Sequence, residues 1–142
     1  MMWDCAKGLL FTAAVLYGSI TDIRSRDVPP AVPILIFLAG LLDFSPALSL
    51  TGLLLMGLVF FCAALAGFGG GDFWLMAACG FLLGPWGGIL QTITGLSLAL
   101  LYAALRRLVR GRPAQRETIP LVPFLGIGGI FAFLSKATGG CL

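Results

Sequence analysis

From Ala31 to Ala66 the chain runs through apolar residues with Asp43 as its single charge. As one helix this stretch would be roughly 54 Å long at 1.5 Å per residue, far beyond a hydrocarbon layer of about 30 Å. It therefore reads as two spans, a short one over about 31–43 and a longer one over about 48–66, parted by Asp43, Ser45 and Pro46. Residues 73–105 pose the same problem and carry the break Gly84-Pro85-Trp86-Gly87-Gly88. They divide into a short span over 73–84 and a longer one over 88–105.

Composition agrees with a chain built for lipid. Hydrophobic residues make up 59% and charged residues 11%, against about one quarter charged in a soluble domain. Mean hydropathy is +1.04. No polar stretch is long enough for a separate soluble domain, so residues 1–142 read as a single membrane-embedded unit. Residues 5–21 supply a first span. It lacks a strongly basic start and ends at Asp22 and arginines instead of a small-residue cleavage site, so it reads as a retained span. A last span covers about 120–137. The expected fold is an all-α polytopic membrane protein with six transmembrane helices, two of them short.

Charge sets the direction of the spans. The seven arginines cluster at Arg24 and Arg26 and again at Arg106, Arg107, Arg110, Arg112 and Arg116. The positive-inside rule puts both clusters in the cytoplasm, and the four expected spans between them satisfy that parity. Lys7 and Lys136 fall outside. The same count brings Gly67-Phe68-Gly69-Gly70-Gly71-Asp72, read as a Gly-rich loop, to the cytoplasmic face where Asp22 lies. The arginine run 106–116 reads as a topology determinant with affinity for anionic headgroups. The expected surroundings are a lipid bilayer, with no nucleic-acid partner.

The chemistry is narrowed by what is missing. The chain has no histidine, which excludes Ser-His-Asp triads, Cys-His dyads and His-ligated zinc. Cys5, Cys62, Cys79 and Cys141 form no C-x-x-C pair and read as small apolar fillers. No metal or cofactor is expected. Only six acidic residues exist, and an acid at a membrane boundary is costly enough to imply function. Asp22 and Asp72 each close a long apolar stretch on the same face. Two carboxylates in one site hold one proton between them; one then takes a proton from water while the other donates to a scissile carbonyl. Gly69, Gly70 and Gly71 permit backbone conformations closed to other residues and let an extended substrate strand reach the main chain.

Three segments carry a resemblance. Asp22-Ile23-Arg24-Ser25-Arg26-Asp27-Val28-Pro29 resembles the D-x-R-x-R-x-I-P-N element of type IV prepilin peptidases. Gly69-Gly70-Gly71-Asp72-Phe73-Trp74-Leu75 resembles their G-x-G-D-x-K-L element, and Ile119-Pro120-Leu121-Val122-Pro123 their I-P-(F/Y)-G-P stretch. Trp74 stands where that family has Lys, Pro30 where it has Asn, and Val122 where Gly is common.

The resemblance implies a membrane aspartic endopeptidase of the G-x-G-D kind in the bacterial inner membrane. It would remove the basic leader of prepilins or pseudopilins at the cytoplasmic face. Asp22 and Asp72 fall on the catalytic positions, with Arg24, Arg26, Gly69, Gly70, Gly71, Pro120 and Pro123 supporting or contacting substrate. The chain is similar to the short form of the family, so methyl transfer is not expected. The competing reading is a non-catalytic membrane subunit of a pilus or secretion apparatus that keeps the fold; Trp74 is the residue in its favour. A small transporter fits less well, because both acids lie at one boundary and not at the midplane.

Overall fold

In a computed structural model of the chain, the described residues are 2–25, 27–42, 44–66, 70–110 and 120–138. All the ordered elements are helices: α1 (Met2–Ser25), α2 (Ala31–Leu41), α3 (Pro46–Leu65), α4 (Gly70–Arg110) and α5 (Val122–Ala137). The all-helical expectation holds among the described residues, which form five continuous helical elements, the fourth of them two helices joined across a kink.

The kink lies in α4, which takes the place of the expected fourth and fifth spans. Within it Gly84 alone leaves the helical region, with φ 79° and ψ 179°, and Pro85 follows. A positive φ is open to glycine at little cost, and proline brings no N–H that would need a partner. The helix resumes at once, without a loop. The bend is nonetheless severe. Met56 of α3 has its Cβ 2.9 Å from where a Cβ on Gly80 would stand, and its Sδ accepts a hydrogen bond from Thr92 Oγ1 at 3.7 Å. Twelve residues of straight helix would separate Gly80 from Thr92 by about 18 Å. One side chain reaches both because the two arms of α4 fold back on each other.

Other contacts orient the remaining helices. Gly18 of α1 packs on Val32 of α2, just past the Pro29-Pro30 turn, where Val32 N–H donates to Pro29 O at 3.0 Å. On α5, Gly126 packs on Val15 and Phe133 on Gly8, so α1 and α5 run antiparallel. On the first arm of α4, Gly57 faces Ala77 while Gly52 meets Gly80, so α3 runs antiparallel to that arm. The main core joins α1, α2, α4 and α5 through Phe11, Val32, Ile36, Leu75, Leu82 and Val122.

The outside of the bundle is as apolar as its core. On α3, Leu54, Leu58 and Leu65 are 69%, 64% and 75% exposed. A soluble protein does not display such a surface, whereas lipid covers it without cost. The helices long and apolar enough to cross a membrane are α3 and α4, with α2 and α5 shorter apolar helices. Lys7 is packed inside the bundle.

The closest backbone approach is at Gly52 and Gly80, where a Cβ on either would overlap the other's carbonyl oxygen. Gly80→Ala is therefore expected to destabilise the fold by about 1–3 kcal/mol. A Cβ on Gly57 would find its nearest neighbour at 3.7 Å, so Gly57→Ala should stay within about 0.5 kcal/mol. Denaturant unfolding in detergent micelles compares the two, and equal losses would contradict this packing.

Candidate active site

Asp22 was expected at the edge of a span ending near residue 21. Instead α1 continues to Ser25, and Asp22 sits inside its last turns. Thr21 Oγ1 bonds back to the carbonyls of Tyr17 and Gly18, and Ser25 Oγ to that of Thr21. These local bonds satisfy the hydroxyls of a polar stretch within the helix. The turn carries Asp22 into the bundle, where it is 8% exposed.

Its buried carboxylate finds a partner far along the chain. Asp22 Oδ2 accepts the backbone N–H of Val122 at 3.0 Å. Val122 opens α5, and the first N–H groups of a helix have no partner within it. The N-cap residue Leu121 offers no side-chain hydrogen bond, and Pro123 beside it has no N–H. Asp22 therefore answers an unmet donor, and the positive end of a helix dipole faces a carboxylate. A hydrogen bond of this charged kind is typically worth about 1.5–3 kcal/mol. Arg24 is exposed in the same part of α1, and the carboxylate bonds to Val122 rather than to it.

Asp72 lies in the first turn of α4, half-buried and within electrostatic reach of Asp22. The two acids, on separate helices, thus lie at the same end of the bundle. The opening of α5 joins them through Val122. So does the far end of α4, since Tyr102 lies against Phe124 with ring centroids 5.3 Å apart and Arg106 and Arg107 follow one turn later. Both ends of α4 reach the same end of the molecule, as the fold at Gly84 requires.

The supporting residues divide. Gly70 and Gly71 open α4 as helix and do not belong to a loop; helical hydrogen bonding takes over directly before Asp72. Gly69 and Arg26 lie outside the described residues. Pro120 and Pro123 flank the start of α5, both half-buried, and shape the turn that delivers Val122 N–H. Trp74 is 65% exposed and stacks edge-on against Phe73, which in turn meets Phe61. An exposed indole beside a boundary acid is placed as interfacial tryptophans are. Among the described residues no three His, Cys, Asp or Glu side chains gather.

Sequence reading passed over Gln91. It is 1% exposed on the second arm of α4, and its Nε2 donates to Leu125 O of α5 at 3.2 Å. Its Oε1 has no hydrogen-bond partner, an omission that costs about 1–3 kcal/mol for a buried acceptor. The available signal was an amide in the middle of an apolar run. Val122 could not have been found this way, because its backbone does the work and its side chain only packs.

Comparison with known proteins bears on the family. No solved structure matches the chain significantly. Over 135 residues it is 33% identical to a protein of Bacillus subtilis (strain 168) named Prepilin leader peptidase/N-methyltransferase. That similarity covers 89% of this chain and 54% of the relative, so the chain spans about half the relative's length. Residues 9–105, which include both Asp22 and Asp72, match the Type IV leader peptidase family. With its paired acids on an all-helical, lipid-compatible bundle, the chain belongs to the type IV leader peptidase family.

Proposed function

We propose that this protein is an aspartic endopeptidase that removes the leader of type IV prepilins or pseudopilins. The observation that supports this reading is that Asp22 and Asp72 lie within electrostatic reach of each other. They come from different helices and share one end of a bundle with few other acids. One carboxylate, ionised, takes a proton from water as the water oxygen attacks the scissile carbonyl. The other, protonated, donates to the carbonyl oxygen. Collapse of the tetrahedral intermediate breaks the C–N bond and returns a proton to the leaving amine. This scheme needs no histidine, of which the chain has none.

The site works at the cytoplasmic face of the inner membrane in this proposal. The end of the bundle that gathers the acids also carries Arg24, Arg106 and Arg107, and positive residues favour the cytoplasmic side. The fold at Gly84 supports the reading of α4 as two crossings, and so a six-span topology. A substrate with a basic leader in the cytoplasm and an apolar helix in the bilayer would present its junction at this level. Trp74, next to Asp72 and open to lipid, is placed to meet the apolar side of that junction. The proposal covers peptide cleavage alone.

Co-expression with candidate precursors tests the chemistry. Asp22→Asn and Asp72→Asn should each lower leader removal by about 10²–10⁴-fold while protein still accumulates in the membrane. Undiminished processing in both variants would end the protease reading. A topology reporter fused at Gly111 should give a cytoplasmic signal, and a periplasmic one would overturn the assigned orientation.

A further inference from the structure

The start of α5 is held at two points. At one, Val122 N–H is bonded to Asp22 Oδ2 at 3.0 Å. At the other, Leu125 O, one turn on, receives Gln91 Nε2–H at 3.2 Å from the second arm of α4. The turn between them is closed by Leu125 N–H on Leu121 O at 3.0 Å. Small residues allow the approach: a Cβ on Gly95 would stand 2.9 Å from Leu125 Cα, and one on Gly129 would stand 3.1 Å from Gln91 Nε2. Cys79, buried on the first arm, lies against the same amide. Gln91 is thus confined by both arms of α4 and aimed at α5.

An apolar side chain of similar size would fill this place without leaving Oε1 unmet. The amide is kept here, and its donor grips the turn that presents Val122 to Asp22. We propose that Gln91 is a positioning residue for the Asp22 carboxylate, acting through the first turn of α5. The inference rests on the reading of Asp22 as half of a catalytic pair. It gives the Pro120-Leu121-Val122-Pro123 segment a role in which a backbone N–H, and no side chain, serves the site. Gln91 does not touch substrate; without its hold, α5 shifts and Asp22 loses its alignment with Asp72. Small misplacements of reacting groups lower turnover by up to about a hundredfold.

The test uses full-length protein in micelles, labelled with ¹⁵N-valine. The chain has six valines, and loss of one signal in Val122→Ala assigns the Val122 amide. Asp22→Asn should move that amide upfield by weakening its acceptor. Gln91→Met, which keeps volume and removes the donor, should move the same amide in the same direction. Gln91→Leu serves as a second variant if Gln91→Met fails to fold, and the remaining valine signals report folding in the same sample. With a synthetic precursor of basic leader and apolar helix, kcat should fall roughly ten- to hundredfold with KM within about twofold. A Val122 amide unmoved in a folded Gln91 variant overturns the inference, as does an unchanged kcat. Absence of cleavage by the wild type would instead defeat the peptidase reading, and the amide shift would still decide whether Gln91 holds the Asp22 contact.

Discussion

The acidic end of the bundle exists because α4 reverses at Gly84. A helix of this length running straight would carry Arg106 and Arg107 tens of ångströms from Asp72. Instead, a positive φ at one glycine, followed by a proline that needs no hydrogen-bond partner, lets both arms lie against Met56. The first arm then presents Asp72 beside Asp22, and the second arm lies along α5 with Gln91 facing it. Remove the reversal and neither the pair of acids nor the support of α5 can form.

A second constraint follows from burying Asp22. A carboxylate inside a helical bundle needs a donor. The donor comes from main chain at the start of α5, where helix geometry leaves N–H groups unanswered. Each side meets the other's need: the helix start is capped and the acid is held. This reciprocity joins α1 to α5 across 100 residues of sequence. The pattern Pro120-Leu121-Val122-Pro123 is then intelligible as backbone design, since proline limits which N–H groups can point at the acid.

Much of this could be read before any coordinates. Helical class, lipid surroundings, the break at Gly84-Pro85 and the pairing of Asp22 with Asp72 rest on hydropathy, helix length and charge. Those quantities depend on local composition. The reading went astray where local signals were weaker than neighbouring contacts. The expected fourth and fifth spans join into one element, α4, because a glycine bend needs no loop residues. Gly70 and Gly71, taken for loop, are helix, because flexibility permits many conformations and selects none. The end of α1 lies past Asp22, at Ser25, with the hydroxyls of Thr21 and Ser25 bonded to carbonyls of their own helix. Arg26 and Gly69 lie outside the described residues.

By itself, then, the sequence determined that the chain is helical, that lipid surrounds it, and that two scarce acids belong to one face. Each follows from the cost of polar or charged groups in an apolar medium, a cost carried by residue type alone. Tertiary structure decided which groups meet those acids. That Val122 N–H binds Asp22, and that Gln91 steadies the turn behind it, depends on three helices being brought together by the fold of α4. Hydrogen bonds are short-ranged and directional, so their partners are chosen by packing, which residue order does not display.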